Sequence, residues 1–164
     1  MKWVVAALLL AAGSVRPARA NPDNVVLADV GLHVVGVGYQ RTVAQHLALQ
    51  LAAESYTPWT QEDRFFEVQG FVVRARPMIY LTEAPRGWWL SPFGQLGIGT
   101  ADRGTGTLWA VGVSLGYAWL VWDHLHVAVG AGVQYDQARI EGGSGRPAFA
   151  EVWPQIDGSV GYAF

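Results

Sequence analysis

The chain has 164 residues, 51% of them apolar, with eight tryptophans, no cysteine and a formal net charge of −2. The lack of cysteine excludes disulfides and thiolate metal sites, and no clustered basic face points to a nucleic-acid partner. A chain of this length predicts one domain.

The first twenty residues have the pattern of a signal peptide. Lys2 gives a short basic region, an apolar run follows at 3–12, and Ala18-Arg19-Ala20 supplies the small residues that a signal peptidase accepts. The apolar run is too short for a transmembrane helix, which needs about 20 residues. We therefore predict a signal peptide over 1–20 and a mature domain over 21–164, in which eight arginines face thirteen acidic residues.

Period-two alternation of side chains dominates the rest of the chain and predicts β-strands with two chemically different faces. In the clearest segment, Val111 and Val113 fall on a bulky apolar face, whereas Ala110 and Ser114 fall on a face of small residues. Turns rich in glycine and polar residues separate seven clear strands, which lie near 33–41, 46–56, 65–80, 88–101, 107–121, 124–139 and 148–164.

The small second face distinguishes a membrane barrel from a soluble β-sandwich. A sandwich carries polar and charged residues on its outer face, whereas here the face opposite the bulky residues is mostly Gly, Ala, Ser and Gln. Such residues fit the narrow lumen of a small barrel, and the bulky residues then face lipid. Frequent glycine disfavours helices. We predict an all-β fold, a transmembrane antiparallel up-and-down β-barrel, closed because open strand edges in lipid leave backbone groups unpaired.

Seven clear strands require an eighth, because bacterial single-chain barrels have an even number of strands. With residue 164 on the periplasmic side, one further upward strand must precede residue 33. Residues 24–30 are the candidate, although this segment is short for a span of about 9–11 residues. We predict eight strands, with the first pair short or irregular.

Large aromatic residues cluster near the predicted strand ends, as in the aromatic girdles of membrane barrels. The group near the predicted periplasmic turns comprises Tyr39, Tyr80, Trp88, Trp89, Trp119, Trp122, Tyr162 and Phe164. The group near the predicted outer loops comprises Tyr56, Trp59, Phe65, Phe66, Trp109, Phe149 and Trp153.

Strand 65–80 carries two charges that a lipid-facing surface would not tolerate. Arg74 and Arg76 would share the face of Val72, and an arginine facing lipid costs about 2–4 kcal/mol at the midplane. We predict a bulge near Val72 and Val73 that turns both arginines into the lumen, where they need carboxylate partners. The predicted luminal polar cluster comprises Glu54, Glu67, Gln69, Arg74, Arg76 and Asp157. We expect it to fill the lumen; a selective pore or gate is the alternative.

Residues 158–164 resemble the C-terminal signature of bacterial outer-membrane barrels, in which alternating apolar residues end in an aromatic that the assembly machinery recognises. Val160, Tyr162 and Phe164 match its positions, and residues 21–164 resemble the broad family of small outer-membrane β-barrel domain proteins. The resemblance implies a location in the cell outer membrane, with outer-membrane lipid, the barrel-assembly machinery and periplasmic chaperones as partners. It implies no particular activity and leaves the oligomeric state open.

No catalytic or metal site emerges from the sequence. Lipid A deacylase barrels use a His-x-Ser pair, whereas neither His124 nor His126 has a serine two positions later. The two histidines would share a strand face, but no third metal ligand is near them. We expect a structural or interaction role without catalysis, cofactor or metal. A narrow pore or a barrel that binds a small ligand is the alternative, and a lipid-modifying enzyme is less favoured.

Overall fold

The computed structural model describes residues 21–57, 68–101, 104–140 and 149–164, so the predicted signal peptide lies outside the described residues. The described strands are β1 (Asn24–Gly31), β2 (Val34–Ala44), β3 (Leu47–Tyr56), β4 (Gln69–Tyr80), β5 (Gly87–Ala101), β6 (Gly104–Val121), β7 (Leu125–Ile140) and β8 (Phe149–Ala163). Within these ranges, no helix is long and apolar enough to cross a membrane.

Each strand pairs antiparallel with the next one, and β8 pairs with β1, which closes the sheet into an up-and-down barrel. The predicted fold class and the eight strands are therefore confirmed. The additional strand is β1, with eight residues. Its register with β8 runs from Val25 opposite Ala163 to Gly31 opposite Asp157.

The two ends of the barrel differ in their connections. The lower end carries the start of β1, the end of β8 and the connections 45–46, 81–86 and 122–124. The upper end carries the connections 32–33, 57–68, 102–103 and 141–148. The two longest connections are thus at the upper end.

Side-chain alternation divides the barrel wall into an inner and an outer face, as predicted. On β6, Val113 is 40% exposed and Ser114 is 1% exposed. Small inner residues make room for a few large ones. Gly116 and Gly130 are opposite each other in the β6–β7 register, and a Cβ atom on either glycine would lie within 2.5 Å of the Trp89 ring.

The prediction of a bulge near Val72 and Val73 is wrong. β4 keeps one register with β3 along its whole length, and Val72, Arg74 and Arg76 all point inward. The arginines therefore enter the lumen without a bulge. Val72 lies inside with them, and the outward apolar positions of β4 are supplied by residues such as Phe71 and Val73.

The β4–β5 ladder is interrupted where two prolines meet. The register pairs Ala75 with Gly94 and resumes with Ile79 opposite Leu90, which places Pro77 opposite Pro92. Proline has no N–H group, so neither residue can donate a hydrogen bond to the facing carbonyl. Backbone pairing between β4 and β5 is therefore missing over residues 76–78 and 91–93.

The aromatic residues near the lower end do not all face outward. Those exposed on the outer surface are Tyr39, Trp88, Trp119, Trp122, Tyr162 and Phe164. Tyr80 and Trp89, predicted in the same girdle, are buried in the lumen, and Tyr56 is buried at the upper end. Adjacent residues of a strand point to opposite faces, so Trp88 and Trp89 could not both face outward. Trp59, Phe65 and Phe66 lie outside the described residues.

Candidate functional site

Five charged side chains meet in the lumen and form what we call the luminal charge cluster: Asp29, Glu54, Arg74, Arg76 and Asp157. They occupy inward positions of β1, β3, β4 and β8. Each residue is at most 3% exposed. The cluster therefore lies in the lumen, enclosed by the barrel wall and away from bulk solvent.

Arg74 forms the centre of the luminal charge cluster. Its Nη2 atom lies 2.9 Å from Asp29 Oδ1 and 2.5 Å from Glu54 Oε1, and its Nη1 atom donates to Asp157 Oδ1 at 2.9 Å. The three carboxylates come from three different strands. A planar guanidinium suits this position because its N–H donors point in several fixed directions. Arg74 thus connects β4 to β1, β3 and β8 across the lumen.

Arg76 extends the cluster through Asp157 and two glutamines. Its Nη1 atom donates to Asp157 Oδ2 at 3.0 Å, and its Nη2 atom donates to Gln50 Oε1 at 3.3 Å. Gln50 in turn donates to Asp29 Oδ2 at 2.7 Å, and Gln155 donates to Asp157 Oδ1 at 2.7 Å. The two aspartates are therefore held on both sides, by an arginine and by a glutamine.

Two aromatic rings on β5 flank the arginines. The guanidinium carbon of Arg74 lies 5.9 Å from the centroid of the Phe93 ring, and that of Arg76 lies 5.5 Å from the centroid of the Trp89 ring. Both distances are within the range of about 6 Å for cation–π contacts. These contacts join β4 to β5 next to the interrupted ladder, where backbone hydrogen bonds are missing.

The charges of the luminal charge cluster nearly balance. Three carboxylates face two guanidinium groups, and each of the five groups has an oppositely charged partner within 4.0 Å. Removing one partner of a buried ion pair leaves an uncompensated charge and costs about 3–5 kcal/mol. The arrangement favours a rigid, paired network over a side chain that is free to react with a substrate.

Apolar layers above and below enclose the luminal charge cluster. The upper layer comprises Val34, Tyr56, Val68, Val72, Leu108 and Ala138. The lower layer comprises Ala48, Met78, Tyr80, Ala84, Trp89, Ala118 and Ala128. Ala84 comes from the β4–β5 turn, which folds under the barrel and donates its backbone N–H to Gln45 O at 2.8 Å. Side chains therefore occupy the lumen on both sides of the charges.

His33 covers the upper layer from the β1–β2 turn. Its ring centroid lies 6.1 Å from that of Tyr56 and 5.9 Å from that of Trp153. Burial lowers the pKa of His33. The imidazole is therefore neutral at neutral pH and is compatible with its aromatic surroundings.

Two residues of the predicted polar cluster are not part of the observed one. Gln69 is exposed on the outer face of β4, because in a strand without a bulge it lies on the side of Phe71 and not on that of Arg74. Glu67 lies outside the described residues. The sequence interpretation also missed Asp29, although it is the single charged residue of β1 and lies two positions from the inward Leu27.

The predicted pair of histidines does not share a strand face. His126 points into the lumen and is 1% exposed, whereas His124 lies in the β6–β7 turn and stacks on Tyr162 with a centroid distance of 5.5 Å. Among the residues that the structure describes, no group of three His, Asp or Glu side chains could hold a metal ion.

Comparison with known proteins gives a family and a similar fold. The family described as "Protein of unknown function (DUF3575)" matches residues 6–141. No curated protein is significantly similar to the chain. The barrel is similar to the crystal structure of the N-terminal β-barrel domain of Pseudomonas aeruginosa OprF, with a TM-score of 0.49 and 12% sequence identity, over 87% of this chain and 98% of that chain.

Proposed function

The chain belongs to the family described as "Protein of unknown function (DUF3575)", and we propose that this member is an integral β-barrel of the bacterial outer membrane with a structural or interaction role. Because side chains fill its lumen, we propose that it contacts lipid and partners through its outer wall and its two ends. We propose no catalytic activity, because the clustered charged groups of the lumen are all paired with one another.

The apolar outer wall carries this proposal. Exposed large apolar side chains lie on every described strand; examples are Val26, Val37, Leu51, Phe71, Leu96, Leu115, Val133 and Ile156. Among the outward positions of the described strands, the charged residues are Arg41 and Arg139, which lie close to strand ends. Soluble monomers rarely expose a contiguous apolar patch of more than about 300–600 Å². An apolar wall of this kind is suited to contact with the hydrocarbon core of a membrane.

The connections support an orientation in the membrane. Outer-membrane barrels have short periplasmic turns and longer extracellular loops. The lower end has connections of two to six residues, whereas the upper connections include 57–68 and 141–148. We therefore propose that the lower end faces the periplasm. Val160, Tyr162 and Phe164 are exposed on the outer face of this end, a position that the proposed assembly machinery and chaperones could reach during insertion.

Fractionation of cells that express the full chain tests the proposal. We expect the protein in the outer-membrane fraction, resistant to extraction by alkaline carbonate. Leu51→Arg should reduce insertion, because an arginine facing lipid costs about 2–4 kcal/mol at the midplane, whereas the matched variant Leu51→Met should insert normally. Recovery of the wild-type protein from the soluble fraction would contradict the membrane assignment.

The filled lumen separates the structural role from the alternative of a narrow pore. The luminal charge cluster lies between two apolar layers, so we expect no conductance steps when the purified barrel is inserted in planar bilayers. Regular single-channel steps from the wild-type protein would instead support a pore.

A further inference from the structure

A groove on the outer wall at the lower end combines aromatic and charged side chains. It is lined by Thr82, Glu83 and Arg86 from the β4–β5 turn and by Trp88, Tyr117 and Trp119 from β5 and β6; we call it the rim groove. A second depression continues it upward over Val129, Gly130 and Ala131 of β7. Aromatic residues thus lie between a charged rim and an apolar surface.

The turn that carries the two charges is held in place by local hydrogen bonds. Thr82 Oγ1 donates to Arg86 O at 2.6 Å, and Arg86 N donates to Glu83 O at 3.2 Å. The ring of His46 contacts Thr82 O at 2.6 Å from the neighbouring turn. Gly87 has a φ of 95°, and a Cβ atom there would lie 2.0 Å from Thr82 Oγ1. The backbone of the turn therefore has little freedom to move the charges away from the groove.

The aromatic wall is built by ring contacts between neighbouring strands. The centroids of Trp88 and Tyr117 lie 5.4 Å apart in an edge-to-face arrangement, and those of Tyr117 and Trp119 lie 4.8 Å apart. Trp and Tyr favour the boundary between hydrocarbon and water because each has an apolar body and a polar tip. The rim groove therefore lies at the depth of lipid headgroups.

Glu83 and Arg86 are available to a ligand. Within the described residues, neither side chain forms an ion pair, and Arg86 is exposed. One carboxylate and one guanidinium on the same rim complement a headgroup that carries one phosphate and one ammonium. An anionic lipid would place its phosphate near Arg86 but would offer no cation to Glu83.

We propose that the rim groove binds a diacyl phospholipid with a phosphoethanolamine headgroup. Arg86 binds the phosphate through charge-assisted hydrogen bonds, and the Glu83 carboxylate accepts hydrogen bonds from the primary ammonium. An acyl chain lies along Trp88 and Trp119 toward Val129 and Ala131, which continue the apolar surface upward. The inference rests on the proposed membrane location and assigns a lipid class to one place on the wall.

Native mass spectrometry of the folded, detergent-solubilised protein tests the site with three probes, dioleoyl phosphatidylethanolamine, phosphatidylglycerol and phosphatidylcholine. We expect the wild type to retain the ethanolamine lipid most tightly. Arg86→Gln should weaken binding of all three lipids by about tenfold, because a hydrogen bond between charged groups contributes at least the equivalent of that factor. Glu83→Gln should weaken binding of the ethanolamine lipid severalfold and leave phosphatidylglycerol unchanged or more tightly bound.

Matched controls separate the site from general charge effects. Arg139→Gln removes an exposed arginine at the other end of the barrel, and Asp123→Asn removes an acidic residue from another lower turn; both should bind lipid like the wild type. The inference is overturned by a wild type without preference for the ethanolamine lipid, by a Glu83 variant that keeps that preference, by an Arg86 variant that binds all three lipids like the wild type, or by controls that weaken binding as much as the site variants do. Because folded protein in detergent is used, such a failure leaves the fractionation result, and with it the proposed membrane role, unaffected.

Discussion

Pro77 on β4 and Pro92 on β5 are opposite each other on adjacent strands, and the hydrogen-bond ladder between the two strands is interrupted around them. Because proline has no N–H group, the carbonyl of each proline lacks the backbone donor that another residue at the facing position would supply. On the inner face of the same seam, Arg76 lies over Trp89. Side-chain contacts connect β4 and β5 where the backbone does not.

Restoring the missing donors should stabilise the barrel. The double variant Pro77→Val, Pro92→Val can form two additional backbone hydrogen bonds, each worth about 0.5–1.5 kcal/mol. We expect an increase in the free energy of unfolding, measured by urea denaturation of the protein in lipid vesicles. Pro154→Val serves as the control, because the β7–β8 register continues through Pro154. An unchanged double variant would mean that the seam already has other hydrogen-bond donors.

Arg74 should be the most sensitive position in the lumen. Arg74→Met leaves Asp29, Glu54 and Asp157 with only Arg76 to balance them, and we expect a loss of about 3–5 kcal/mol in unfolding free energy. Arg139→Met, at an exposed position, should change it by less than about 0.5 kcal/mol. Adding Glu54→Gln to Arg74→Met should recover part of the loss, because it removes one unpaired charge. Equal losses for the Arg74 and Arg139 variants would contradict the central role of the cluster.

The packing of Trp89 predicts that alanine substitutions at two glycines will affect the stability of the barrel differently. A Cβ atom at Gly130 would lie 2.5 Å from Trp89 Cη2, whereas one at Gly94 would have nothing within 4 Å. Gly130→Ala should therefore destabilise the barrel by about 1–3 kcal/mol through overpacking. Gly94→Ala should be neutral or slightly stabilising, because alanine restricts the unfolded chain. Urea denaturation followed by tryptophan fluorescence measures both, and a tolerated Gly130→Ala would show that Trp89 can move.

Spin labels at two adjacent positions test which face meets lipid. Val113 points outward and Ser114 points into the lumen. In lipid vesicles, a label at 113 should be accessible to dissolved oxygen and shielded from a water-soluble relaxation agent. A label at 114 should show the opposite preference or be shielded from both. A label at 113 that oxygen in the lipid phase does not reach would contradict the membrane barrel.

Strand positions could be predicted where the two faces differ in chemistry. On β6 and β7 a bulky face alternates with Gly, Ala and Ser, so the direction of each side chain followed from the sequence. On β4 both faces are partly apolar, because Val72 lies inside and Phe71 and Val73 lie outside. Period-two alternation therefore does not distinguish the inward face of β4 from its outward face, and the sequence interpretation invoked a bulge that the structure does not contain.

The partners in the luminal charge cluster could be predicted only in part, because they depend on how the barrel closes. The sequence places Arg74 and Arg76 in the lumen because an arginine facing lipid is costly, and it offers Glu54 and Asp157 as the carboxylate partners that buried arginines need. Asp29 lies on the strand that the sequence indicated most weakly, and its contact with Arg74 spans the lumen. The inward direction of one tryptophan did have a local signal, since the adjacent residues Trp88 and Trp89 must point to opposite faces.

The luminal charge cluster also links the two strands whose pairing closes the barrel. Asp29 and Asp157 lie on β1 and β8, the two strands whose pairing completes the wall, and both contact Arg74 of β4. Before β1 and β8 meet, Arg74 has only Glu54 as a carboxylate partner among these residues. A closure slipped by one residue would turn an aspartate toward lipid, and a slip by two would move it along the lumen away from the arginines. Of these registers, the native one alone pairs both aspartates with arginines inside the lumen, so the cluster favours correct closure of the wall over a slipped closure.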